Sequence, residues 1–294
     1  MSFGVRLESE TLLAFLLPAA IGVAYLVRLS HLRAGGREPS RARQVAFWGG
    51  LALVLAATVG PLDELADEFV FGHMIQHTVL LDEASLLLAI GLTGPVLVPL
   101  LRLPVLRRAR TLMHPGLALG LWIVVMYGWH LPLLYQAAEE NDLVHFCEHG
   151  SFLAAGTIMW LALLGPLPKP RWFNNPARAI YAGAVHFSSM GLANILMWSG
   201  AVLYPFYVAS DQAHDIAPLT DQSLAGAVLM IQGGVVMLCV FFWTLLRWAR
   251  EDTERQDLLD FARERGVALT EERAAIAAAA DRGAELRRRL EAAR

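Results

Sequence analysis

The chain has 294 residues, 56% of them hydrophobic and 17% charged, with a mean hydropathy of +0.46. A formal net charge of −3 leaves no basic field for nucleic acid. The two cysteines, Cys147 and Cys239, lie in different hydrophobic segments without a CxxC spacing, which argues against a disulfide scaffold and a thiolate zinc site.

The apolar residues come in blocks long enough to cross a hydrocarbon layer roughly 30 Å thick, which takes about 20 helical residues. Seven spans are predicted, at about 11–29, 45–60, 71–100, 116–137, 143–165, 179–202 and 222–247, the third ending near Gly94-Pro95. The expected fold is all-α, a polytopic membrane protein with a bundle of seven transmembrane helices over residues 1–250. A helical, charged cytoplasmic tail follows over 251–294, with Thr270 as an N-cap and the character of a solvated, partly frayed helix. The opening MSFGVRLESE carries acids before its apolar run and no small-residue cleavage site, so the first helix is expected to be retained.

Basic residues alternate from loop to loop. Arg33, Arg37, Arg41 and Arg43 follow span 1; Arg102, Arg107, Arg108 and Arg110 follow span 3; Lys169, Arg171 and Arg178 follow span 5. The loops after spans 2, 4 and 6 (PLDELADEF, AAEENDL and ASDQAHDIAPLTD) carry no Lys or Arg. Lys and Arg are retained on the cytoplasmic side, so the N-terminus is expected outside and the C-terminus in the cytoplasm.

The chemistry sits near the ends of spans that meet the loops without Lys or Arg. Span 3 opens with His73-Met74-Ile75-Gln76-His77, and span 5 with His145-Phe146-Cys147-Glu148-His149. Residues four apart on a helix lie about 40° apart around the axis and about 6 Å apart along it, so each pair can present two imidazoles to one spot. His130, in Gly128-Trp129-His130-Leu131-Pro132, closes span 4, and Asp221-Gln222 opens span 7. Four spans thus bring metal-binding side chains to one depth. His73, His77, His145 and His149 are the first candidate ligands, followed by His130 and Asp221. Glu148 and Gln76 flank their histidine faces at about −60°, where either can orient a ring, and Gln222 stands beside Asp221. Such a site suits copper, zinc, iron or nickel, and the ligand types do not decide among them. A structural polar network is the plainer reading, and HxxEH also matches an inverted zinc-protease signature with Glu148 as general base.

Two further features lie deeper. Asp82-Glu83 falls inside span 3, where carboxyls are costly unless they face protein or water, and reads as a proton or cation relay or as a protonated, hydrogen-bonded pair. His186, Met190, Asn194 and Met197 share one face of span 6, either as a soft-metal path or, more simply, as packing.

The ordered set His73-Met74-x-Gln76-His77, Trp129-His130-x-Pro132, His145-x-x-Glu148-His149, Tyr204-Pro205-x-Tyr207 and Asp221-Gln222-x-x-Ala225-Gly226 resembles the multi-spanning cytochrome c oxidase assembly factor CtaG family over roughly residues 45–247. The resemblance implies a bacterial cytoplasmic-membrane protein that is not an enzyme and that helps assemble a haem–copper oxidase. Copper is the implied metal, with zinc or iron as alternatives. The implied partners are oxidase subunits, an extracytoplasmic copper carrier and the lipid bilayer. Asp82-Glu83 departs from the pattern, since similar proteins are mostly apolar there. The alternatives are an intramembrane zinc-dependent metalloenzyme and a scaffold for oxidase subunits without metal transfer.

Overall fold

The computed structural model describes residues 2–101, 109–167, 169–279 and 282–292; Arg102, Arg107 and Arg108, used above to orient the chain, lie outside them. The regular structure there is helical throughout. The N-terminal half holds α1 (Ser2–Ala34), α2 (Arg41–Thr58), α3 (Pro61–Glu68), α4 (Val70–Thr78), a π-helical turn (Val79–Ala84), α5 (Ser85–Gly91), α6 (Gly94–Leu100) and α7 (Ala109–Leu112). Then come α8 (Pro115–Trp129), α9 (Pro132–Glu140), α10 (Asp142–Leu164), α11 (Asn175–Trp198), a 3-10 turn (Pro205–Tyr207), α12 (Val208–Ala213) and α13 (Pro218–Glu264). Two short helices, α14 (Glu271–Ala279) and α15 (Gly283–Ala292), end the chain.

Among the described residues five helices are long and apolar enough to cross a membrane, and the number rises to seven if each of two bent pairs makes one span. The pairs are α2 with α3, bent by 45°, and α8 with α9, bent by 70°. Both bends sit where a proline forbids a continuous helix. Pro132 has no N–H to give and pushes Leu131 out of helical geometry to ψ 129°. Pro61 follows Gly60, whose φ of 96° is open to glycine at little cost. The acidic loop expected after span 2 is therefore a helix, started by that proline with Asp63 and Glu64 in its first turn. Large apolar side chains such as Val124, Ile180, Phe187, Trp198 and Ile231 face outward, as they would toward lipid.

The run α4–π turn–α5 is the most buried of the candidate spans. It packs against α2, α10 and α13, while α11 lies along α13 and α8 along α10. Small residues set the closest approaches. A β-carbon at Gly72 would overlap the Leu65 carbonyl, which holds α3 tight against α4 beside His73. One at Gly156 would overlap the Leu81 carbonyl and the Ser85 hydroxyl, so α10 crosses the π turn backbone to backbone.

The tail departs from the solvated helix that its composition suggests. α13 continues unbroken well past the expected end of span 7, and α14 and α15 fold back onto it, burying Leu258, Phe261, Ala262, Ala274, Ala277 and Leu290. Small alanines let these helices approach without a leucine heptad. Thr270 does cap α14, its hydroxyl accepting from Arg273 N at 3.3 Å.

The crossing at Gly156 yields a test. Gly156→Ala forces α10 and the π turn apart and should cost about 1–3 kcal/mol, the usual penalty of an overpacked contact. Thermal unfolding of purified protein should show a lower Tm, whereas an unchanged Tm would contradict the close crossing.

Candidate metal centre

His73 and His77 stand one turn apart on α4 with ring centroids 4.1 Å apart, and His145 and His149 do the same on α10 at 4.2 Å. The pairs face each other: His73 lies 5.6 Å from His145 and 6.3 Å from His149, and His77 lies 5.8 Å from His149. His130, at the C-terminal end of α8, brings a fifth ring 5.5 Å from His77. Asn141 starts α10 by accepting from Leu143 N and Val144 N at 3.1 Å, which fixes the first turn that carries His145.

Two sets of donor atoms lie within 4.8 Å of one another: one from His73, His77 and His149, the other from His73, His145 and Glu148. Tetrahedral coordination at about 2.0–2.1 Å per nitrogen separates donors by about 3.3 Å, so modest side-chain rotations close either set on an ion. Among the described residues, Nε2 of His73 and His149, both ring nitrogens of His77 and both Glu148 oxygens have no hydrogen-bond partner, although they are buried. Unpaired buried polar atoms are costly, and a cation satisfies several of them together. The donor set therefore fits a metal ion.

The supporting shell contains a residue that the sequence reading passed over. Glu139, on α9, meets His73 Nδ1 at 3.0 Å and also accepts from the Tyr207 hydroxyl at 2.9 Å. A carboxylate on Nδ1 holds the proton there and leaves Nε2 as the donor. Tyr135 extends the chain of contacts, with its hydroxyl 3.2 Å from that of Tyr207. By sequence Glu139 falls in the loop AAEENDL, which has no Lys or Arg. The signal that could have found it is the Tyr135–Glu139 spacing of four after Pro132, the mark of a short helix facing back over the site. Glu148 lies 3.5 Å from His77 Nε2. His130 directs Nδ1 to the Met126 carbonyl at 2.6 Å and Nε2 to the Met74 thioether at 3.2 Å. Met74 thus touches the centre through His130.

Other expected residues have different surroundings. Both oxygens of Asp221 are engaged by backbone, accepting from Val70 N at 2.7 Å and Phe71 N at 2.9 Å, so this side chain caps α4. Gln76 donates to the Ala57 carbonyl at 2.7 Å and to Asp63 at 2.8 Å, tying α4 to α2 and α3. Gln222 accepts from Leu203 N at 2.8 Å and donates to the Leu196 and Ala201 carbonyls at 3.2 Å, fastening the segment before Tyr204. The span 6 stripe does not join the five histidines: Asn194 is exposed, Met197 packs against Gly226, and His186 borders Gly234. Asp82 and Glu83 lie on the π turn, one helical turn and more beyond His77.

The molecule is thus a multi-pass helical membrane protein with a buried cluster of imidazoles and carboxyls gathered from several helices. The family model described as cytochrome c oxidase caa3 assembly factor (Caa3_CtaG) matches residues 23–251, and the chain belongs to that family. No curated protein and no solved structure matches the chain.

Asp211, beside the cap, yields a pH prediction. Burial and the adjacent Asp221 carboxylate push its carboxyl up to about 6. A carboxyl with a raised folded pKa holds its proton more tightly in the folded chain. Stability from this group is full below about 4, falls as pH rises through about 6, and stays lower above that. Asp211→Asn keeps a donor toward Asp221 and cannot ionise. The fall in Tm between pH 4.5 and 7 should therefore be smaller in the variant, and equal slopes would contradict the assignment.

Proposed function

We propose that this protein takes up copper at the histidine centre and passes it on during maturation of a haem–copper oxidase in the bacterial cytoplasmic membrane. The observation that carries the reading is the convergence of donor atoms from His73, His77, His145, His149 and Glu148 into two overlapping sets within 4.8 Å. The family supplies the client class, since its members are described as cytochrome c oxidase assembly factors. Copper is favoured over zinc or iron by the His130–Met74 pair, because a thioether beside an imidazole suits Cu(I). Metal as cargo arrives from an extracytoplasmic carrier and leaves to oxidase subunits.

Each residue in this scheme has a defined task. Glu139 and Tyr207 fix the His73 ring so that Nε2 points at the ion. Glu148 offers the negative charge that offsets a cation in a poorly solvated place. His145 and His149 border a cavity of about 50 Å³, shared with Ala14, Leu17 and Asp63, through which an ion can reach the donors.

The proposed orientation puts the N-terminus outside and the C-terminus in the cytoplasm, with the histidines near the outer surface and the chain crossing seven times. It rests on the alternation of Lys and Arg between loops.

Three measurements test this reading. Purified protein should bind one ion, since both donor sets draw on His73, and replacing His73 and His77, or His145 and His149, by alanine should lower affinity at least about tenfold. Unchanged metal content in monodisperse variants would remove the site. Glu148→Gln should alter affinity modestly, and the parent should show no hydrolysis; hydrolysis lost in Glu148→Gln with metal retained would indicate the zinc enzyme instead. For sidedness, single cysteines are introduced after Cys147 and Cys239 are replaced by serine. A membrane-impermeant label should reach Glu64→Cys and Gln212→Cys from outside, and Arg37→Cys and Arg171→Cys only after the membrane is opened. The reverse pattern would place the centre against the cytoplasm and end the case for loading by an extracytoplasmic carrier.

A further inference from the structure

A second polar cluster sits deeper in the bundle, on the π turn. Asp82 is buried, with its Oδ1 unpartnered among the described residues, and Glu83 Oε2 and His186 Nδ1 share that condition. Three elements enclose them. From α13, Gln232 donates to Glu83 Oε1 at 2.9 Å, and Asp82 Oδ2 lies 3.6 Å from where a β-carbon on Gly233 would stand. From α11, the Ser189 hydroxyl lies 3.4 Å from that same point, and His186 Cε1 lies 3.6 Å from the corresponding point on Gly234. From α10, Trp160 donates to the Asp82 carbonyl at 3.1 Å.

The titratable groups around this cluster are Glu83, on the same turn as Asp82, and His186, on α11 beside Gly234; α10 presents an indole and α2 presents Gly50 to the Ala84 carbonyl. Two adjacent carboxylates cannot both remain ionised at this depth without a cation, since the cost of each buried charge is several kcal/mol. Both carboxyls sit on the π turn, and π turns inside α-helices are frequent at functional sites. Gly233 and Gly234 leave the opposite wall without side chains, so Asp82 Oδ2 and the His186 ring face room that a helix with larger residues would fill. A metal cation such as Ca²⁺ or Mg²⁺ takes six or more oxygen ligands. The groups here are two carboxyls, one hydroxyl and an amide whose donor is already used, which suits a proton better.

We propose that Asp82 and Glu83 form a proton-binding site within the membrane-spanning bundle, separate from the histidine centre and independent of whether that centre holds metal. Gln232 accounts for one Glu83 oxygen as an acceptor. The two carboxyls hold one proton between them, and the O–H bond that breaks on release delivers it to water. The site gives the bundle a charge that changes with proton supply, at a level where nearly all the surrounding side chains are neutral.

Infrared spectroscopy of the full-length protein in lipid nanodiscs tests this through the C=O stretch of protonated carboxyls. Glu139 and Glu148 are also buried, so the measurement is the difference between the parent and each variant. At pH 7 the parent should show a protonated-carboxyl band that loses about one carboxyl equivalent in Asp82→Asn and changes in intensity or frequency in Glu83→Gln. Replacing sodium by potassium or by a bulky organic cation should leave it unchanged. Either substitution carries the test if the other fails to fold. A band identical in parent and variants would overturn the proposal. So would a band that appears only when alkali cations are withdrawn, since the site would then hold a metal cation.

Discussion

Two hydrogen bonds that the Asp221 carboxylate accepts from the backbone N–H groups of Val70 and Phe71 fix the start of α4, and the rest of the centre is built outward from that anchor. These N–H groups belong to the first turn of a helix and have no partner within it, while lipid offers none. A carboxylate supplied by α13 satisfies both and complements the positive end of the helix. Gln76 then clamps the same helix to α2 and α3, and the contact at Gly72 seats it against Leu65. With both faces held, His73 and His77 turn toward α10, with Glu139 of α9 and His130 of α8 beside them. The crossing at Gly156 sets how close α10 comes and so how near its two histidines stand.

The break at His130-Leu131-Pro132 is the second constraint. A continuous helix would carry Glu139 away from the bundle; the 70° bend instead lays α9 across the end of it and brings Glu139 to His73. The same break leaves the His130 carbonyl free of the helix ladder, where the Tyr204 hydroxyl donates to it at 2.9 Å. Tyr135 stacks on Tyr204 at 3.9 Å, so one aromatic group covers both the bend and the carboxylate beneath it. The tyrosines of the Tyr204-Pro205-x-Tyr207 segment thus hold parts of the site in place.

Much of this was legible in the sequence because the underlying rules are local. Span lengths follow from bilayer thickness, and the pairs at positions 73/77 and 145/149 follow from helical pitch. What escaped depends on contacts between distant segments. Asp221 was read as a candidate ligand, yet its oxygens belong to backbone groups some 150 residues away in the chain, a partnership no spacing reveals. Glu139 looked like a loop residue because the bend at Pro132 was not followed through. The π turn leaves no pattern in hydropathy, and the folding back of α14 and α15 uses alanines that no heptad test would register.

The central claim is that imidazoles of α4 and α10 bind one ion together. X-ray absorption on protein loaded with a single equivalent of copper tests it most directly, because the scattering identifies the atoms next to the metal. The account predicts a shell of nitrogen neighbours at about 2.0 Å with the outer-shell scattering of imidazole rings, lost when the histidines of either helix are replaced. A shell dominated by solvent oxygen, or one unchanged by those replacements, would contradict it.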